Sequence, residues 1–365
     1  MTRKITLWIV SGFATLILAS CNLPEVTPTA AQTSTTPTSF IESPVATEVP
    51  TDTHGTLPDS ITAKNAGNLK VIHKAAVSNV QQVVWGANSK SLSLSTQNAD
   101  ASGTQLFGVT TLNVPDLTPK NIFSTQKGRI SAIAVDGRTI AVIAQGLNSV
   151  TFYDLGAENT AINTITPGFL IGNVTFSPDL RYIAVTQAES WEVVIYSFVS
   201  GQEVIRLTGY ETAAPVFDAG FNFSPQWMVW HSRGTIQLQE VETGKMGARF
   251  EHQDFVSAFA LSKDGSLLAS VAGITLTVWD ASQGTALKTF SLTNPANAVA
   301  FSPDGNLLAT GSGKSIDIRE VTSGKLLVSL GGHFDQITTI SFSPDGKYIA
   351  TTGFDNQLYL WQVSQ

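Results

Sequence analysis

Five histidines, a single cysteine and a recurring aspartate are the side chains through which this sequence of 365 residues could do chemistry. His54, His73, His231, His252 and His333 stand far apart, and none forms the close pair that a histidine metal site needs. A lone Cys21 excludes a disulfide framework and any zinc site built on paired thiolates. Gly311-Ser312-Gly313-Lys314-Ser315 imitates the end of a phosphate-binding loop, but Leu308 stands where the leading glycine belongs, and a strand rather than a helix is expected to follow. The run from Asn98 to Gly103 is similar to the start of a calcium loop, yet its twelfth position is Val109, where a bidentate carboxylate is required. There is no Gly-x-Ser-x-Gly elbow to support a hydrolase. Asp264, Asp304 and Asp345 recur at a spacing of about forty residues, so they read as turn residues of a repeat, far apart in space. The expectation is a protein that is not an enzyme, with no metal and no cofactor.

The elements that position these residues fall into two regions. Arg3 and Lys4 precede an apolar stretch from Ile5 to Leu18, the pattern of a signal peptide over residues 1–20 and shorter than a membrane span. Leu18-Ala19-Ser20-Cys21 follows. It resembles the lipobox of bacterial lipoproteins, which implies cleavage after Ser20, acylation of Cys21 and residence at the extracytoplasmic surface of the cell membrane or outer membrane. From Asn22 to Ser60 there are 10 Thr, 6 Pro and 4 Ser and no Lys or Arg, so residues 21–60 are expected to form a disordered tether. The chain holds 21 Lys and Arg against 28 Asp and Glu, a net charge of −7, which argues against a nucleic-acid partner.

Residues 61–365 repeat. Phe301 opens "FSPDGNLLATG" and Phe342 opens "FSPDGKYIATT"; weaker copies begin at Trp85, Ile133, Phe176, Phe223 and Leu261. Each unit reads as four short strands. An alternating run leads into a Pro-Asp-Gly hairpin turn, an apolar run follows, a third strand ends in an aromatic such as Trp279 or Trp361, and a Gly-containing turn leads to the fourth. Seven such units predict an all-β, seven-bladed β-propeller of four-stranded antiparallel blades. The last unit stops after its third strand, so Leu69 to His73 is predicted to complete it beside Leu358 to Val363.

The "FSPDG" turns, the Ala-Ser or Ala-Thr pairs and the Trp-Asp ends resemble WD40 repeats. The resemblance implies a structural hydrogen-bond set on His333, Thr351, Asp355 and Trp361. The fifth unit keeps His252, Ser270 and Trp279 without the turn Asp; the sixth keeps Thr310, has no His and carries Arg319 in the Trp position. It also implies a binding face on the fourth-to-first and second-to-third strand loops, where Trp191, Tyr210, Arg233, Phe255 and Phe334 are the residue types favoured at interface centres. The expected function is a non-catalytic scaffold for an unidentified protein or peptide, held at the membrane through its lipid. The alternative is an envelope enzyme or carbohydrate-binding propeller with its site in the central channel. The TolB family shares "SPDG" but usually has six blades.

Overall fold

Pairing of successive short strands through tight turns produces seven separate four-stranded antiparallel sheets in a computed structural model that describes residues 60–363, apart from 100–102, 189–191, 208–215, 222–225 and 233. Cys21, Trp191, Tyr210 and Arg233 lie outside the described residues. A short 3-10 turn (Ala66–Asn68) leads into β1 (Leu69–Ala76). The first blade is β2 (Val80–Trp85), β3 (Ser91–Ala99), β4 (Gln105–Asn113) and β5 (Pro119–Thr125); the second is β6 (Gly128–Ile133), β7 (Thr139–Ala144), β8 (Val150–Asp154) and β9 (Thr160–Ile165). The third comprises β10 (Ile171–Phe176), β11 (Tyr182–Gln187), β12 (Val193–Ser197) and β13 (Glu203–Leu207), and the fourth β14 (Val216–Phe221), β15 (Trp227–Ser232), β16 (Thr235–Glu240) and β17 (Met246–Glu251). The fifth has β18 (Val256–Leu261), β19 (Leu267–Ala272), β20 (Thr275–Asp280) and β21 (Thr285–Ser291), and the sixth β22 (Ala296–Phe301), β23 (Leu307–Ser312), β24 (Ser315–Glu320) and β25 (Leu326–Gly331). The seventh has β26 (Ile337–Phe342), β27 (Tyr348–Gly353) and β28 (Gln357–Val363), with β1 as its fourth strand.

The closure is antiparallel, Leu69 opposite Val363 and Ala76 opposite Gln357, with a bulge at Ile72 that lets the strand run three residues beyond the expected His73. The two ends of the repeat array therefore share one blade.

The apolar core is divided among the gaps between blades rather than gathered in one place. Seven buried clusters occupy the seven gaps; Leu307, Ala309, Ile316 and Ile318 of the sixth blade, for example, meet Ile349, Tyr359 and Trp361 of the seventh. Sheets covered on both faces explain the continuous apolar runs in the second strands, such as Leu307 to Ala309.

The recurring aspartates are turn residues. The Ser343 hydroxyl donates to Asp345 at 2.6 Å and accepts the Tyr348 N–H at 3.0 Å, while Asp345 accepts the Lys347 N–H at 3.1 Å. Ser177 with Asp179, Ser262 with Asp264 and Ser302 with Asp304 repeat the arrangement. Burial would raise the Asp264 pKa, but the bonds from Ser262 and Ser266 outweigh it and leave it lowered. Gly305 and Gly346 follow at φ 71° and 70°; in two degenerate copies Ser89 and Leu180 hold φ 59° and 57° instead, and Leu180 offsets that strain by packing on the cluster between the second and third blades.

One expected register is corrected. Phe223 is the expected start of the fourth unit's motif, but Phe221 is the residue that ends β14 and pairs with Met228, as Phe342 pairs with Ile349. Two phenylalanines two residues apart point to the same side of a strand, so the sequence fits either register. Phe223 itself lies outside the described residues.

Candidate functional site

Antiparallel order sends every fourth-to-first connection and every second-to-third turn to one end of the ring, here termed the upper face. The first-to-second and third-to-fourth turns go to the lower face. Among the described residues all three well-exposed phenylalanines lie on the upper face: Phe255 (50%), Phe334 (75%) and Phe354 (51%). Exposed Leu170 and Ile274 join them there. Only Val135 and Val199 of the other large exposed apolar residues lie on the lower face, and the rest lie on the fourth strands at the rim. Of the five residues expected on the binding face, Phe255 and Phe334 are described, and both are exposed. Phe354, Ile274 and Leu170 were missed; the available signal was an apolar residue at a position where these short connections are otherwise polar.

A buried hydrogen-bond chain holds the loop of Phe334. His333 Nδ1 lies 2.9 Å from Asp355 Oδ2, so it carries the proton and donates; Nε2 then accepts from the Thr351 hydroxyl at 2.8 Å, and the Thr351 oxygen accepts from Trp361 Nε1 at 2.9 Å. The same Asp355 oxygen accepts the Phe334 N–H at 2.9 Å, and the Phe354 N–H donates to Gln336 O at 2.9 Å. Tyr359 stacks on the His333 ring at 4.2 Å, donates its hydroxyl to Gly332 O and carries Lys74 Nζ of β1 over its ring, 4.3 Å from the centroid. The closing strand and the loop of Phe334 therefore meet in one network.

The fifth blade keeps a shorter version. His252 Nδ1 faces Gly234 O at 3.2 Å, Nε2 meets Ser270 Oγ at 2.7 Å, and Trp279 Nε1 donates to Ser270 at 2.8 Å. In the sixth blade Leu292, buried in the gap beside Leu308, takes the place of the histidine, and Arg319 replaces the tryptophan. Thr310 is 1% exposed and its hydroxyl is left without a partner, while Arg319 lies 3.8 Å from Asp317. These three blades are a graded series of one motif.

Residues 284–318 and 324–362 match the family model described as WD domain, G-beta repeat, and they run from the last strand of the fifth blade to the third strand of the seventh. Those two stretches are WD40 repeats. Two curated relatives align over similar lengths. An uncharacterized WD repeat-containing protein of Synechocystis is 27% identical over 128 residues, 33% of this chain and 35% of its own. Eukaryotic translation initiation factor 3 subunit I of Culex quinquefasciatus is 30% identical over 142 residues, 34% of this chain and 43% of its own. The chain thus spans less than half the length of the curated relatives it matches. A WD40 propeller is in general a non-enzymatic interaction scaffold that binds proteins or peptides, and the histidines of these repeats serve the blades themselves.

Three of those histidines make the WD40 ring sensitive to acid. Burial pushes His231 down to about 4 against the opposing bond from Val256, and burial likewise lowers His252 and His333, the latter despite Asp355. In the unfolded chain each takes up a proton near pH 6.5, whereas in the fold each stays neutral to lower pH, so unfolding is coupled to proton uptake. Stability is expected to be level above about pH 7 and to fall from pH 6.5 toward pH 4, His231 alone contributing about 3 kcal/mol of the loss. Urea unfolding at a series of pH values checks this, and His231→Gln should flatten the slope.

Proposed function

We propose that this protein is a non-catalytic docking platform, tethered by lipid on Cys21 at the extracytoplasmic surface of a bacterial membrane, whose upper face binds a protein or peptide. The observation that carries the docking assignment is the gathering of Phe255, Phe334 and Phe354 on one face, with the backbone of Phe334 bonded to Asp355 and that of Phe354 to Gln336 O. Aromatic side chains carried on backbone that is already ordered cost less to immobilise on binding, and so suit the centre of an interface. Ile61 N–H donates to Gly346 O at 2.8 Å in a first-to-second turn, so the described residues begin at the lower face, opposite the proposed docking face. Two or more acyl chains on one cysteine would hold the protein stably at a bilayer.

The anchoring is tested by growing cells on labelled palmitate. Label is expected in the wild type and absent from Cys21→Ser, which should leave the membrane fraction; an unlabelled wild type would overturn the anchor. The docking face is tested by capture of partners from solubilised membranes, in which the Phe255→Ala, Phe334→Ala, Phe354→Ala triple variant should lose what the wild type retains.

A further inference from the structure

The second residues of the seven first strands form a ring at the upper mouth of the propeller: Gln81, Arg129, Gly172, Phe217, Ser257, Asn297 and Thr338. Four of these side chains spend their polar groups on the protein. Gln81 donates to Asn79 O, Ser257 to Ala296 O at 2.6 Å in the next blade, Asn297 to Gln336 Oε1 at 3.2 Å, and Thr338 to Thr352 O. Arg129 donates from Nη2 to Gly172 O of the neighbouring blade. A guanidinium has five N–H groups, and this bond uses one of them.

Arg129 also differs from every other described arginine. Arg138, Arg181, Arg206, Arg249 and Arg319 each lie beside a carboxylate, whereas Arg129 takes part in none of the ion pairs among the described residues. It is half-buried, and burial, with nothing opposing it, lowers its pKa. A partly desolvated cation that has no counter-ion among the described residues is costly, and an arriving anion removes that cost. No acidic residue occupies the ring's second positions to compete for it.

We propose that Arg129 forms a carboxylate-binding subsite at the upper mouth, taking an acidic side chain or the C-terminus of the docked peptide. This rests on reading the upper face as the docking face. One guanidinium fork matches one carboxylate in bidentate fashion, whereas a phosphate site usually recruits more than one cation, and the ring's second positions hold a single one. The exposed apolar side chains of the upper face, from Leu170 before the third blade to Phe354 in the seventh, lie at the same end of the ring as Arg129, so a peptide with an acidic residue beside apolar ones has the complementary character.

The test uses the full-length protein in detergent and follows the Arg129 Nε–H resonance, assigned by its loss in Arg129→Gln, during titration with acetyl-Leu-Glu-Phe-amide, acetyl-Leu-Gln-Phe-amide or inorganic phosphate. The Glu peptide is expected to shift that resonance and saturate. The Gln peptide should bind at least tenfold more weakly, and Arg129→Gln should lower affinity for the Glu peptide at least tenfold, read from backbone amide shifts, with Arg129→Lys falling between. Equal affinity for the two peptides, or undiminished binding by a folded Arg129→Gln, would overturn the subsite. Saturation by phosphate at lower concentration than by the Glu peptide would overturn its assignment to a carboxylate. The titration needs neither the lipid nor a cellular partner, so its failure leaves the docking reading intact. Conversely, unchanged capture by the triple phenylalanine variant would overturn the docking face without touching this titration.

Discussion

Leu69→Ala is expected to destabilise the protein by about 2–5 kcal/mol, although the residue lies in the strand farthest from the ring's centre. Fourth strands elsewhere carry exposed apolar side chains, and Leu287→Ala in β21, where the leucine is 53% exposed, should cost less than about 0.5 kcal/mol. Leu69 differs because it is 4% exposed and packs with Ile61, Ala66, Tyr359 and Trp361 in the gap between the sixth and seventh blades. Its strand also supplies the only partner of the free edge of β28. Removing residues 1–76 entirely takes away that strand together with the apolar contacts of Leu69, Val71, Ile72 and Ala75, and leaves β28 as an unpaired apolar edge. A domain is stable by only about 5–15 kcal/mol in all, so the truncated chain is expected to aggregate or remain unfolded. Denaturant titration of the two single variants decides the point; equal costs for Leu69→Ala and Leu287→Ala would mean that the closing strand contributes no more than any other outer strand.

The same substitution at equivalent positions in adjacent blades is expected to act with opposite sign. Thr351→Val removes the hydroxyl that joins His333 Nε2 to Trp361 Nε1 and leaves two buried polar atoms without partners, a cost of about 2–4 kcal/mol. It should also loosen the loop of Phe334, whose N–H bonds to Asp355 in the same network. Thr310→Val replaces a buried hydroxyl that has no partner by a methyl group of the same shape, and should be neutral or stabilising by about 1 kcal/mol. The contrast follows from Leu292 and Arg319 standing where the seventh blade has histidine and tryptophan. Thermal unfolding of both variants checks it, and a cost at Thr310 equal to that at Thr351 would contradict the assignment.

The ring and its closure could be read from sequence because each rests on local chemistry repeated at a fixed interval, whereas the hydrogen-bond set on His333, Thr351, Asp355 and Trp361 was implied by the resemblance to WD40 repeats. Ser-Pro-Asp-Gly dictates a hairpin, and a hairpin of that kind recurring every forty residues dictates a blade. The fourth unit was misplaced by two residues because Phe221 and Phe223 satisfy the same alternation, and only pairing with Met228 separates them. Leu170, Ile274 and Phe354 stayed hidden for a different reason: whether an apolar side chain in a short connection turns outward or packs beneath it depends on the neighbouring blade. Arg129 was not a candidate because its distinction is the lack of an ion-pair partner among the described residues, a property of three-dimensional surroundings that no spacing along the chain encodes.

Site-specific photo-crosslinking in intact cells tests most directly whether the upper face is where this propeller binds. A crosslinking amino acid is placed at Phe334 or Phe354 on the upper face, or at Val135 or Val199 on the lower face, all of them exposed positions in the free protein. The prediction is a common crosslinked product from positions 334 and 354 that is absent from 135 and 199. The same product from the lower-face positions, or from those positions alone, would contradict it.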